Sequence, residues 1–178
     1  MKNSRKMLGI DILIFIVLLF ADQITKHIIR IRLELHSYYT VIEKVLQIYH
    51  YENSGAVWGI LKGQRIVFIL MAVIVMCVLL FFLVKAPAEK KYLRLNVALT
   101  MIAAGAIGNT IDRVMNGTVT DFIYVVLINF PIFNVADIYI TLATFWLVIM
   151  VLFIYKDEDL DVFAIKRKKA EADEPDQV

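Results

Sequence analysis

The stretch Ile66-Val-Phe-Ile-Leu-Met-Ala-Val-Ile-Val-Met-Cys-Val-Leu-Leu-Phe-Phe-Leu-Val84 holds no charged residue, no proline and no glycine, and Lys85 closes it. A helix needs about 20 mostly apolar residues to cross the hydrocarbon core of a bilayer. In that core the backbone finds no water, so its N–H and C=O groups must be satisfied within the segment, as in a helix. The stretch therefore predicts a membrane-spanning helix over 66–84. Working outward, three more segments read the same way, over about 8–29, 95–111 and 135–155. The expected fold is an all-α membrane protein with four transmembrane helices. Composition agrees: 60% of the 178 residues are hydrophobic and the mean hydropathy is +0.71, whereas soluble domains are roughly half apolar.

Lys2, Arg5 and Lys6 precede the first span, as they would in a cleavable leader. The apolar run behind them is too long for a leader's core and no small-residue cleavage site follows it, so it reads as a retained helix. Four spans put both termini on one side. The N-terminal bases, Lys85, Lys90, Lys91 and Arg94 between spans two and three, and Lys156 with Lys166–Lys169 in the tail share that side. By the positive-inside rule it is cytoplasmic. The first outer loop, about Arg30 to Arg65, also carries bases, balanced in part by Glu34, Glu43 and Glu52.

Within that loop Val45-Leu-Gln-Ile-Tyr-His-Tyr51 reads as a strand, rich in β-branched and aromatic residues. Asn53-Ser-Gly55 reads as a turn and Ala56-Val-Trp-Gly59 as a return strand. A small extracytoplasmic β-element is thus expected. The second outer loop, Asn116 to Phe133, opens on Asn-Gly, and its middle, Phe122 to Ile128, is apolar enough to lie at the membrane interface. One membrane domain over 1–160 is expected, with a charged tail over 161–178. The chain is charged from Asp157 onward, and this part is expected to be disordered.

Several functions are disfavoured by what the chain lacks. A net charge of +2 gives no case for nucleic acid. Cys77 is the one cysteine, so no intrachain disulfide is possible, and it has no Cys/His partners at metal spacing. His27, His36 and His50 form no HExxH pattern. No metal and no cofactor is expected. Trp58 and Trp146 read as interface anchors.

Ionisable residues in or beside a spanning helix are costly and face a partner or a cavity. Here most of them gather at one depth. Asp22, Gln23 and Lys26 fall toward the outer end of span one, and Asn109, Asp112 and Arg113 at the outer end of span three. Asn134 and Asp137 open span four, and Asn53 and Asp121 lie in the outer loops. Asn109, Asp112 and Arg113 at i, i+3 and i+4 share a helix face, and Gly105 and Gly108 would let another helix approach closely. Each group has an ordinary explanation when taken singly. Asp22 and Lys26 can neutralise each other, Asp112 and Arg113 can form an interfacial pair, and Asn134 with Asp137 can form a capping box. Jointly these do not account for the shared depth.

The chemistry open to such a cluster is limited. There is no GxSxG, and Lys26 has no serine on a helix to activate: Ser4, Ser37 and Ser54 are the only serines. Two aspartates sharing one proton can activate a water and protonate a leaving amine. A transporter or channel subunit would place its ionisable groups nearer the midplane, and the GxGD of presenilin-type proteases is absent.

Five blocks in order carry a specific likeness: Asp22-Gln-Ile-Thr-Lys26, Asn53-Ser-Gly-Ala-Val-Trp58, Gly105-Ala-Ile-Gly-Asn-Thr-Ile-Asp-Arg113, Gly117-Thr-Val-Thr-Asp-Phe122 and Phe130-Pro-Ile-Phe-Asn-Val-Ala-Asp137. With these the chain resembles the lipoprotein signal peptidases, the type II signal peptidases of bacteria. It departs at Ala104, where the family often has a second glycine. The resemblance implies a catalytic dyad at Asp121 and Asp137. It also implies supporting roles for Asp22, Lys26, Asn53, Gly105, Asn109, Asp112, Arg113, Asn134 and Ala136. The implied activity is that of an aspartic endopeptidase without metal or cofactor. The implied substrates are prolipoproteins whose cysteine carries diacylglycerol, cut just before that cysteine. The expected setting is the bacterial cytoplasmic membrane, with the protein a monomer among membrane lipids and its site near the outer face.

Overall fold

The structure is a computed structural model that describes residues 2–55 and 63–164, with side chains from Met7 onward. Helix α1 runs Lys2–Arg32, α2 Arg65–Lys85, α3 Lys90–Asn116 and α4 Val135–Ile149, the last continued by a π-helical turn over Met150–Ile154. All four are long and apolar enough to cross a membrane. Strands β1 (Tyr38–Ile42), β2 (Leu46–Asn53) and β3 (Val119–Val125) form an antiparallel sheet in the order β1-β2-β3. The all-α membrane architecture with a small β-element is as expected.

Helix α3 is the axis. In its most apolar window 56% of residues are buried, against 6% in α1 and α2 and 11% in α4, so the other three pack around it. Small residues permit this. A methyl group added at Gly105 would lie 2.7 Å from the backbone oxygen of Ala136 and from Ile140 Cγ1, so α4 crosses α3 where only a hydrogen fits. At Gly108 an added methyl would collide with the Asp22 carboxylate of α1. Leu79, Leu95, Leu99, Ala103, Ala143 and Met150 fill the core along this axis. The outward faces remain apolar, with Phe20, Ile74 and Phe145 each exposed. An uncovered surface of this kind marks a membrane protein.

Three expectations change. Helix α3 is longer than 95–111 at both ends. Tyr92 at one end and Asp112 at the other are buried against protein, so hydropathy understates the helix. Gly117, in the left-handed region at φ 81°, ends it. The apolar middle of the second loop is strand β3, paired with β2 from Leu46↔Val125 to Asn53↔Val119. Residues Asp157–Phe163, expected to be disordered, form a short helix α5 (Asp157–Leu160) and a 3-10 turn. They dock on the bundle: Asp159 Oδ1 lies 2.7 Å from Lys91 Nζ, and Tyr92 donates to the Asp159 carbonyl at 2.9 Å. The Phe163 ring lies 5.2 Å from that of Phe82, tilted by 56°. The return strand at 56–59, Trp58 and the tail beyond Ala164 lie outside the described residues.

Candidate active site

Strand β3 leaves the end of α3 and returns along β2, which brings Asp121 beside Asn53. Asn53 Nδ2 donates to Asp121 Oδ2 at 2.8 Å, and the Asn53 side-chain oxygen takes the Gly55 N–H at 2.9 Å. Both ends of that amide are therefore assigned. The other oxygen of Asp121 accepts from Asn134 Nδ2 at 2.6 Å. Asp121 is 3% exposed.

Asn134 and Asp137 do form the capping box that their spacing permits. Asn134 Oδ1 accepts the Asp137 N–H at 3.1 Å, and Asp137 Oδ2 accepts the Asn134 N–H at 3.1 Å. The box also aims both side chains. Its geometry leaves Asn134 Nδ2 free to bond Asp121 and Asp137 Oδ1 free to accept from Asn109 Nδ2 at 2.8 Å. Asp137 is only half-buried, and it sits in the first turn of α4, where the helix dipole favours a negative charge.

Lys26 sets the orientation of Asn109. Lys26 Nζ, 0% exposed, is 2.9 Å from Asp22 Oδ2, 2.9 Å from Asp112 Oδ2 and 2.8 Å from Asn109 Oδ1. Because the cation takes the carbonyl end of Asn109, the NH₂ end faces Asp137. Asp22 accepts the Ala136 backbone N–H at 3.0 Å, which ties α1 to the start of α4. Arg113 donates to the Gly55 carbonyl at 3.2 Å and lies over the Phe68 ring at 4.3 Å, tying the loop after β2 to α2 and α3. Gly105 acts through its lack of a side chain, as described above.

The residues expected in the site thus converge at one end of the bundle. Burial, then the charge of Asp137, pushes the Asp121 carboxyl up to about 7, against the bonds from Asn53 and Asn134 and the charge of Lys26. A carboxyl able to hold a proton near neutrality beside a second carboxylate is suited to general acid–base work. Sequence reading missed Glu52, Thr120 and Arg30, which hold β3 to the helices. Nothing in their local sequence sets them apart, because only strand register brings them together.

Four spanning helices that enclose an acid-bearing polar site at one end define an integral membrane enzyme. Residues 14–153 match the family described as Signal peptidase (SPase) II. The lipoprotein signal peptidase of Staphylococcus haemolyticus is 39% identical over 84% of this chain and 95% of its own length. That of Staphylococcus aureus strain MRSA252 is 36% identical over 84% and 92%. A solved bacterial membrane enzyme, determined by the in meso method, superposes with a TM-score of 0.75 at 35% identity, covering 90% of this chain and 95% of that one. A second such structure gives 0.74 at 37% identity. The chain belongs to the signal peptidase II family and is a peptidase.

Proposed function

We propose that this peptidase removes the signal peptide from diacylglyceryl-modified prolipoproteins, cutting before the lipidated cysteine with Asp121 and Asp137 as its catalytic pair. The observation that carries the reading is that one residue, Asn134, donates to both carboxylates, its side-chain amide to Asp121 and its backbone N–H to Asp137. The substrate class follows from the relatives, which are named lipoprotein signal peptidases.

In this mechanism Asp137, half-buried and in the first turn of α4, is the ionised member. Asp121, held up to about 7, carries the proton. Asp137 takes a proton from water as its oxygen attacks the scissile carbonyl carbon, and Asp121 gives its proton to the carbonyl oxygen. On collapse the C–N bond breaks, Asp137 passes its proton to the leaving amine, and the hydroxyl proton returns to Asp121. The products are a carboxylic acid and the free amino group of the lipidated cysteine, and both aspartates are regenerated. Asn53, Asn109 and Asn134 hold the carboxyl groups in place. Lys26 pairs with both Asp22 and Asp112 beside them.

Both termini on the cytoplasmic side and the site at the outer face fit the basic residues of the N-terminus, of the loop between α2 and α3, and of the tail. There the acyl chains can stay against apolar helix faces while water reaches the carboxylates. A monomer suffices, since every group invoked comes from one chain. The test is to incubate purified protein with a synthetic precursor carrying a diacylglyceryl cysteine and to weigh the products. Masses that place the cut immediately before that cysteine are expected, with no cut in the unlipidated peptide. Cleavage elsewhere, or equal cleavage without the lipid, contradicts the reading.

A further inference from the structure

Glu52, on β2 beside Asn53, gathers three donors that the mechanism does not use. Its Oε2 accepts from Thr118 Oγ1 at 2.6 Å, and its Oε1 accepts from Thr120 Oγ1 at 2.9 Å and lies 3.1 Å from His50 Nε2. The other ring nitrogen of His50 is 2.9 Å from the Leu33 carbonyl, just past α1. Thr120 is 0% exposed and precedes Asp121 on β3. Its hydroxyl also accepts from Arg30 Nη1 at 3.1 Å, a nitrogen 3.5 Å from Asp112 Oδ1.

These bonds join the network around Lys26. Asp112 meets Lys26, Lys26 meets Asn109, and Asn109 donates to Asp137. One polar chain thus runs from Glu52 and Thr120, adjacent in sequence to Asn53 and Asp121, to the amide that holds Asp137. The sheet and the helix bundle supply one aspartate each. Strand pairing orders the sheet internally, but it does not fix how far β3 stands from α1 and α3. Arg30, reaching from α1 to the Thr120 hydroxyl, is a side-chain tie between β3 and α1, and Glu52 accepts from the same hydroxyl.

We propose that Arg30, Thr120 and Glu52 are positioning residues that clamp β3 to the helix bundle and so set the separation of Asp121 from Asp137. The proposal rests on the reading of these two aspartates as the catalytic pair. None of the three touches reacting atoms. They act through Asp121, whose fit to its partner must hold to a fraction of an ångström, because a displacement of about 1 Å can cost about a hundredfold in rate.

The test is Thr120→Val, which keeps the buried volume and removes both hydroxyl bonds, assayed with Thr120→Ser, Glu52→Gln and the double variant Glu52→Gln/Thr120→Val. The clamp predicts that Thr120→Val lowers kcat by about tenfold to a hundredfold, with KM held within about twofold and an undiminished yield of folded protein. Thr120→Ser restores the rate. The double variant loses no more than the worse single one, because residues acting as a unit are not additive. The alkaline limb of the pH–rate profile moves in Thr120→Val, since the coupling of the two carboxyls depends on their separation. If Thr120→Val yields no folded protein, Glu52→Gln is read by the same criteria. Wild-type kcat in the folded variants, failure of Thr120→Ser to restore it, or multiplicative losses in the double variant would overturn the clamp. Asp121→Asn is run alongside. If it is inactive while Thr120→Val is fully active, the clamp alone fails. If it is active, the reading of the pair fails and the clamp with it.

Discussion

Asn134 Nδ2 lies 2.6 Å from Asp121 Oδ1, so the residue that caps α4 also holds the carboxyl borne by β3. A helix cap and a site contact are one feature here. The ordinary explanation of the Asn134–Asp137 spacing and the functional one are both correct, because the box that satisfies the first N–H groups of α4 leaves one donor and one carboxylate oxygen pointing at the site.

The pH dependence follows from Asp121. Its carboxyl is raised from 3.8 to about 7, by burial first and by the charge of Asp137 second. A raised carboxyl favours folding below its unfolded value and gives up that contribution as pH climbs from there through about 7. Catalysis needs the same proton. The expected profile of kcat against pH therefore declines on the alkaline side with an apparent pKa about 7, one belonging to the coupled pair. A rate that stays flat well above that value contradicts the assignment of the proton to Asp121.

Lys26→Met should be severely destabilising. The ammonium is fully buried between Asp22 and Asp112 at 2.9 Å from each, and removing it leaves Asp22 without that counter-charge and Asp112 with Arg30 at 3.5 Å. Breaking a buried pair costs about 3–5 kcal/mol. Thermal unfolding in detergent should show a large drop in midpoint, and Lys26→Met melting like the parent would show that the pairing carries little stability.

Gly108→Ala tests the approach of α1 to α3. The new methyl would meet the Asp22 carboxylate, which is held by Lys26 and by the Ala136 N–H and has nowhere to go. Both melting temperature and activity should fall, whereas Gly9→Ala, with nothing within 4 Å of its added methyl, should change neither. Equal behaviour of the two variants would contradict the packing described.

Cys77→Ala serves as the opposite control. The thiol is exposed on α2, on the face turned away from the bundle. Surface changes of this kind stay within about ±0.5 kcal/mol. Cleavage rate and melting temperature should match the parent, and a loss of rate in folded Cys77→Ala protein would reveal a thiol role that the geometry gives no reason for.

How much of this was legible in the sequence differed by element. Uncovered apolar runs gave all four spans, because helix faces turned away from protein must be apolar throughout. The ends of α3 were hidden, since Tyr92 and Asp112 are buried by protein and not by lipid. Strand β3 was hidden for a related reason: Val119–Phe122 are all buried, so the alternation that marks a half-buried strand is lost. Strand β1 is exposed along its whole length and gave no burial pattern at all. The site residues were legible because polar groups at one membrane depth are conspicuous. Glu52, Thr120 and Arg30 were not, since threonine and glutamate in an outer strand are ordinary until register pairs Glu52 with Thr120.

The most direct test of the account is the fate of a lipidated precursor when either aspartate is replaced. Asp121→Asn and Asp137→Asn keep nearly the same size and shape, yet neither asparagine can carry or accept the proton that the hydrolysis moves. General acid–base catalysis is worth about 10²–10⁴-fold per group, so each variant, inserted and still binding the precursor, should leave the precursor band intact and yield no mature product. Maturation by either folded variant at near the parent rate would contradict the catalytic pair.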